Sequence, residues 1–423
     1  MENRTRVRWL VCGLLFFATT INYIDRQTIS LLKTTLSRDL GWSETQYADI
    51  VFWFQALYAV GYAAAGWLID RIGVRVGYSL AVLVWSVAAM LHAGVRSVLG
   101  FCLVRGALGL AEGGNFPAAV RATAEWFPKK ERALAFGILN AGSNLGPVVT
   151  PLVVPWLTVA YGWPAAFVAT GSLGLIWLGV WLAVYRAPGE NPRVSAEELA
   201  YIRQEPTVPV PGIPWISLLR YRTTLAFMIG MALSSPVWWF YLFWIPDFLQ
   251  RRYHFDLTHV GLPLIAIYLL ADVGSVGGGW LSSYRIARGT PAWPARRGTM
   301  FVCAVCVLPL VAIPGLASPW IAVGLIGLAA AAHQGWSANL YTMVSDSMPA
   351  SAVSSVVGLG GMAGSVAGMF MAKFVGWILD RTHSYSIPFL VAPAAYLLAL
   401  ALITLLKYNP DPELVVGSRD SSA

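Results

Sequence analysis

Apolar residues in this chain fall into twelve blocks long enough to cross a lipid bilayer, and that recurrence decides what the chain can fold into. The blocks lie near 9–32, 45–69, 76–95, 97–120, 133–155, 163–185, 222–247, 258–282, 299–315, 318–344, 353–378 and 387–407. About 20 apolar residues in helical conformation span the hydrocarbon core. There every backbone N–H and C=O must be bonded within the chain, which leaves helix as the conformation for segments of this length. Only 12% of the residues are charged, against roughly 25% in a soluble domain. The expected fold is an all-α membrane protein of twelve transmembrane helices. The first block is too long for the core of a signal peptide and no small-residue cleavage site follows it, so it is expected to be retained.

The net charge of +8 is a topology signal. With the N-terminus inside, twenty of the 29 Lys and Arg residues fall in the terminal segments and connections on that side, six fall in the opposite connections, and Arg26, Arg105 and Lys373 lie within spans. This bias is the positive-inside rule, and it predicts that both termini are cytoplasmic. The basic balance therefore implies no nucleic-acid partner. The four cysteines, Cys12, Cys102, Cys303 and Cys306, all lie in apolar blocks. Cys303 and Cys306 have CxxC spacing without a second ligand pair, so packing is the expected role and no metal or cofactor is implied.

The longest polar stretch, 186–221, divides the spans six and six. The expected organisation is a first six-helix bundle over 1–185, a cytoplasmic linker over 186–221, and a second bundle over 222–423 ending in a short cytoplasmic tail. Within the linker, Ser195 followed by Glu198 is a capping-box pattern that predicts a short surface helix. Pro206, Pro209, Pro211 and Pro214 then keep the chain extended. The halves echo each other. Ala141-Gly-Ser-Asn-Leu-Gly146 returns as Ala363-Gly-Ser-Val-Ala-Gly368, and the same offset aligns Glu112-Gly113 with Gln334-Gly335. Two pseudo-symmetric six-helix bundles would place a binding site between them near the midplane. Gly142 and Gly146, like Gly364 and Gly368, share a helix face, where close packing is the expected use.

Charged residues inside spans cost at least ~2.5 kcal/mol each on insertion scales and usually mark a substrate or ion pathway. Asp25 and Arg26 stand in the first span, Arg105 and Glu112 in the fourth. Seven residues return to within ~20° of one helix face, so Arg105 and Glu112 share a face. The two spans run oppositely, which lets Asp25 face Arg105 while Arg26 reaches Glu112. Such pairing makes the burial tolerable. A salt-bridge network that only ties helices together is the alternative, although small apolar residues do that at lower cost. Guanidinium binds carboxylate in a bidentate fork and stays charged, so the arginines suit an anionic substrate. A carboxylate that loses its arginine to the substrate gains a reason to take up a proton, which makes Asp25 and Glu112 candidate proton carriers.

Neutral groups at bilayer depth complete the candidate site: Tyr58 in the second span, Asn140, Ser143 and Asn144 in the fifth, Trp238, Trp239 and Tyr241 in the seventh, and His333, Gln334, Trp336, Ser337, Asn339 and Tyr341 in the tenth. Hydroxyl, amide and indole groups suit a polyhydroxylated ligand, with aromatic faces covering its C–H surface. Packing is the competing role for each. Asp272, in the eighth span, is expected toward its inner end, and Lys373 can snorkel. From these groups, Arg26, Tyr58, Arg105, Asn144, Gln334, Trp336 and Asn339 are taken as substrate-binding candidates.

Between spans two and three, Gly66-Trp-Leu-Ile-Asp70-Arg71-Ile-Gly73-Val-Arg75 resembles the GxxxDRxGxR signature of the major facilitator superfamily. In that family Gly66, Asp70, Arg71, Gly73 and Arg75 would form a cytoplasmic gating latch. The second-half counterpart, Gly279-Trp-Leu-Ser-Ser283, has serine where the acid would stand. Asn22-Tyr-Ile-Asp-Arg26, Glu112-Gly-Gly-Asn-Phe-Pro117, Trp126-Phe-Pro-Lys-Lys-Glu-Arg132 and Ala332-His-Gln-Gly-Trp-Ser-Ala-Asn339 narrow the resemblance to that superfamily's anion:cation symporters, and within them to bacterial hexuronate transporters. It runs from about residue 8 to residue 408. It implies a monomer in the bacterial inner membrane that imports a sugar acid, such as galacturonate or glucuronate, with protons. It also implies that Asp25, Arg26, Tyr58, Arg105 and Glu112 serve binding and coupling. Relatives that carry galactonate, tartrate, phthalate or another carboxylate are the alternative.

Other classes fit less well. No GxSxG, HExxH, Walker A or dinucleotide fingerprint stands in a suitable context for an enzyme. A channel needs a ring of pore-lining polar groups, whereas the paired charges sit in one half. A phosphate-ester exchanger would be expected to carry a core arginine in each half, and a cationic-drug exporter has little use for two.

Overall fold

Residues 6–203, 215–348 and 350–406 are described in the computed structural model, and among them every regular element is helical. In chain order these are α1 (Val7–Leu31), α2 (Lys33–Leu40), α3 (Glu44–Ile72), α4 (Val74–Leu91), α5 (Val98–Glu112), α6 (Asn115–Trp126), α7 (Lys129–Tyr161), α8 (Trp163–Val184), α9 (Ala196–Ile202), α10 (Trp215–Leu218), α11 (Arg222–Tyr253), α12 (Gly261–Ala287), α13 (Ala292–Val307), α14 (Pro319–Ser347), α15 (Ala350–Thr382) and α16 (Ser386–Leu405). A 3₁₀ segment, Leu308–Gly315, prolongs α13.

Eleven helices among the described residues are long and apolar enough to cross a membrane. The twelfth expected span, 97–120, is divided into α5 and α6 by Gly113 and Gly114. Glycine is the poorest helix former after proline, and two in a row weaken the helix at that point. Both remain in the right-handed region (φ −56° and ψ −23°, then φ −75° and ψ −15°), so the break does not reverse the chain.

The chain forms two compact units: α1 to α9 with residues 256–261, and α10 to α16. In the first, α1 packs along α7, α3 along α5 and α4 along α8; in the second, α11 packs along α15 and α13 against α16. The repeated glycines explain the closest contacts. A Cβ on Gly142 would strike Phe16 O and the Thr20 hydroxyl, and one on Gly146 would strike Tyr23 and Thr20 O, so α7 meets α1 backbone to backbone. The second copy does the same work, Gly364 lying on Ser235 and Met231 O. Gly274 and Gly278 likewise bring α12 onto Ala331 and Gly335 of α14.

Gly73 of the latch motif is the single residue between α3 and α4, at φ +80°. Gly162 joins α7 to α8 in the same conformation, φ +83°. Only glycine adopts it without a steric cost.

The expected linker helix exists as α9, and Ser195 Oγ accepts from Glu198 N at 3.2 Å. The Glu198 carboxylate accepts from Val7 N (3.1 Å), Arg8 N (3.2 Å) and Arg8 Nη1 (3.0 Å), holding α9 against the start of α1. Arg8 Nε also donates to Glu131 at the start of α7 (2.9 Å), and the Tyr201 hydroxyl donates to the same carboxylate (2.6 Å). Pro206, Pro209, Pro211 and Pro214 lie outside the described residues.

Candidate functional site

The charged residues of the first and fourth spans converge inside the first unit, where Asp25, Arg26, Arg105 and Glu112 are all at most 2% exposed. Arg26, on α1, places both Nε and Nη2 3.0 Å from Glu112 Oε2 at the end of α5. Its Nη2 also donates to Asn22 Oδ1, one turn back, at 3.2 Å. The guanidinium is enclosed by aromatic faces, with ring centres of Tyr23, Tyr58 and Phe54 at 4.6, 4.8 and 5.4 Å from Cζ. Cation–π attraction compensates part of its lost hydration.

The expected pairing of Asp25 with Arg105 is not formed. Arg105 turns to the α1 main chain, donating to Arg26 O at 2.7 Å and to Asp25 O at 3.5 Å, with Cζ 4.5 Å from the Phe54 ring centre. Both Asp25 carboxylate oxygens are buried, and neither makes an ion pair or a hydrogen bond of normal length among the described residues. The physical reason is competition: a carbonyl oxygen within reach satisfies a guanidinium N–H, and side-chain spacing does not encode that choice.

These positions depend on how closely α3 approaches α5. A Cβ on Gly109 would meet Phe54 O, and one on Gly113 would meet Tyr58 O and Tyr62 N, so the Phe54 and Tyr58 rings are held over the arginines. Beside the break, the Tyr78 hydroxyl on α4 donates to Asn115 Oδ1 (2.5 Å) and Asn115 Nδ2 donates to Thr19 Oγ1 on α1 (3.3 Å). The sequence reading missed Asn22, Tyr23, Phe54, Tyr78 and Asn115 as supporting residues. The i, i+4 spacing of Phe54 and Tyr58, and the polar Asn115 after two glycines, were the available signals.

Asn144 lies half-buried on α7. In the second unit, Gln334 is half-buried on α14, Trp336 is fully buried edge-on to Tyr396 (5.2 Å), and Asn339 Nδ2 donates to Gly335 O (2.8 Å) and, across to α12, to Gly278 O (3.0 Å). His333 stacks on Trp238 (5.0 Å, 8°), with Nδ1 bonded to the Tyr396 hydroxyl and Nε2 3.3 Å from Ser337 Oγ. Asp272 lies midway along α12 rather than at its inner end. In the latch motif Arg71 is exposed, and Arg75 Nη2 donates to Leu182 O at 2.8 Å. The Asp70 side chain lies outside the described residues, as does that of Asn140.

Residues 15–372 match the family model described as Major Facilitator Superfamily. The chain belongs to this superfamily. It is a multi-pass membrane transporter and not an enzyme. The Hexuronate transporter of Escherichia coli (strain K12) is 31% identical over 99% of this chain and 98% of its own length. The Galacturonate transporter of Dickeya chrysanthemi is 33% identical over 65% of this chain and 81% of its own. Among solved structures, an inward-facing, occupied bacterial homolog of the human lysosomal transporter Spinster superposes with a TM-score of 0.74 at 17% identity, covering 96% of each chain, a likeness of fold alone.

Proposed function

We propose that this superfamily member imports a sugar acid, a hexuronate such as galacturonate or glucuronate, together with protons by alternating access of its two halves. The observation that carries the reading is the buried cluster of Arg26, Glu112, Arg105 and Asp25 walled by Tyr23, Phe54 and Tyr58. Buried guanidinium is a receptor for carboxylate, and in the resting protein Glu112 fills that role for Arg26. A substrate carboxylate that takes Arg26 leaves Glu112 without its cation, and a proton then neutralises it. Binding and protonation thereby favour each other. The charge bias of the connections supports cytoplasmic termini in a bacterial inner membrane, and twelve spans in one chain support a monomer as the working unit. The relatives named above support the hexuronate class.

Uptake of labelled galacturonate, glucuronate, galactonate and phthalate into proteoliposomes, with and without an inward proton gradient, tests both parts. Accumulation of a hexuronate that collapses with the gradient is the expected result. Accumulation insensitive to the gradient would remove proton coupling, and preference for phthalate would replace the sugar acid.

A further inference from the structure

Asp25 and Arg26 are neighbours on α1 and so project about 100° apart. Arg26 goes to Glu112, whereas the Asp25 carboxylate goes toward α8, where the Thr170 hydroxyl is its polar neighbour. Thr170 is 1% exposed, and its hydroxyl also lies 3.5 Å from Phe167 O. Phe167, one turn earlier on α8, carries the ring of His92 stacked upon it at 5.0 Å and 13°. His92 follows the last residue of α4 and is fully buried. Its Nδ1 lies 2.8 Å from Ala88 O, and its Nε2 has no partner among the described residues.

A second helix gives the same placement. Phe101 on α5 meets the His92 ring edge-on at 5.7 Å, and Arg105 stands one turn further along that helix. The Arg105 charge acts on both His92 and Asp25, and Glu112 is the other charged group acting on Asp25. His92 therefore sits about one turn, ~5 Å, from the layer of Arg105, Thr170 and Asp25. It lies toward the end of the bundle where α1 and α4 finish, the outer end in the orientation proposed above.

A carbonyl oxygen cannot donate, so His92 Nδ1 carries the proton and Nε2 is an acceptor. When it gives up its proton, the Asp25 carboxylate is also acceptor-only. Two acceptors cannot bond each other, while water, with two donors, serves both, and buried polar groups are satisfied by protein or by ordered water. We propose that His92, Thr170, Arg105 and Asp25 bound a hydrated pocket within the first bundle, through which Asp25 exchanges protons with the outer face apart from the substrate's contact at Arg26. Water transfers a proton to the Asp25 carboxylate and receives one from the next water. His92 stays neutral and orients the chain. The proposal rests on the proton-coupling reading and adds the route.

Full-length parent, His92→Leu, His92→Gln, Thr170→Val and Asp25→Asn are reconstituted in liposomes and assayed with labelled galacturonate for proton-driven uptake and for counterflow. His92→Leu and Thr170→Val are expected to slow driven uptake about tenfold, the order for one lost hydrogen bond to the water chain. Counterflow should be unchanged, and His92→Gln, whose amide oxygen replaces Nε2, should recover most of the loss. In a pH-jump infrared measurement without substrate, the carboxyl band absent from Asp25→Asn should rise more slowly in both apolar variants. Parent-like driven uptake and band kinetics in His92→Leu and Thr170→Val would overturn the route. So would a parallel loss of counterflow in the near-isosteric Thr170→Val. Accumulation by Asp25→Asn equal to the parent's would instead overturn the coupling role of Asp25 beneath it.

Discussion

Arg26 holds Glu112 through a single carboxylate oxygen. Both Nε and Nη2 lie 3.0 Å from Oε2, and Oε1 is buried with no partner among the described residues. A bidentate fork would use both oxygens, so this ion pair leaves the second Glu112 oxygen outside it. Breaking such a buried pair by truncation costs about 3–5 kcal/mol, because the survivor is left charged in a dry site. A ligand carboxylate is a substitute that leaves Arg26 neutralised, which lets Glu112 part from it at much lower cost.

Replacing Arg105 is expected to abolish binding. Arg105→Ala removes the donor to Arg26 O and Asp25 O and the charge over Phe54. Arg105→Lys keeps the charge but not the planar fork that reaches two carbonyls at once, so it should fail nearly as badly. Isothermal titration with galacturonate reports the outcome, and near-parental affinity in the lysine variant would remove Arg105 from the site.

Tyr58→Phe separates ring from hydroxyl. The ring remains 4.8 Å from the Arg26 cation, so this contact outlasts the hydroxyl's hydrogen bond to Arg26 and folding should be preserved. If the hydroxyl bonds the ligand, affinity should fall by about 1–2 kcal/mol. A titration with unchanged affinity and unchanged melting temperature would return Tyr58 to a packing role.

Hydropathy made the membrane spans legible, because a stretch of about 20 apolar residues has few other uses. It did not reveal the α5–α6 break at Gly113 and Gly114, since the apolar character runs through it. Arg26 and Glu112 could be paired in advance from helix direction and seven-residue spacing. Arg105 could not be assigned to the α1 carbonyls, because main-chain acceptors leave no mark in the residue pattern. Lys33 reads as a loop charge yet is fully buried, 2.6 Å from Glu44. Glu198 reads as half of a capping box, and its carboxylate caps a different helix.

That cap gives a stability prediction. Glu198→Ala leaves the first-turn N–H groups of Val7 and Arg8 without their acceptor and deprives Arg8 of one of its two carboxylates. The expected cost is about 2 kcal/mol, intermediate between a helix cap and a charged hydrogen bond. Amide exchange in the first turn of α1 should accelerate while the spans stay protected. Unchanged exchange there would show that α9 does not hold α1.

Glu112→Gln is expected to divide binding from coupling. Glutamine keeps the size of the side chain and one acceptor oxygen for Arg26 but cannot exchange a proton, and the pseudo-symmetric position already holds Gln334. The variant should bind galacturonate and support counterflow, in which labelled and unlabelled substrate exchange without net proton movement. Accumulation driven by an inward proton gradient should be lost, because uphill transport requires a group whose protonation differs between the loaded and the empty carrier. Asp25→Asn should show the same division if the two carboxylates share the task, and its side chain, which makes no ion pair among the described residues, should tolerate the change without loss of stability. If Glu112→Gln accumulates substrate as well as the parent does, the Arg26–Glu112 pair is structural and coupling falls to Asp25 alone.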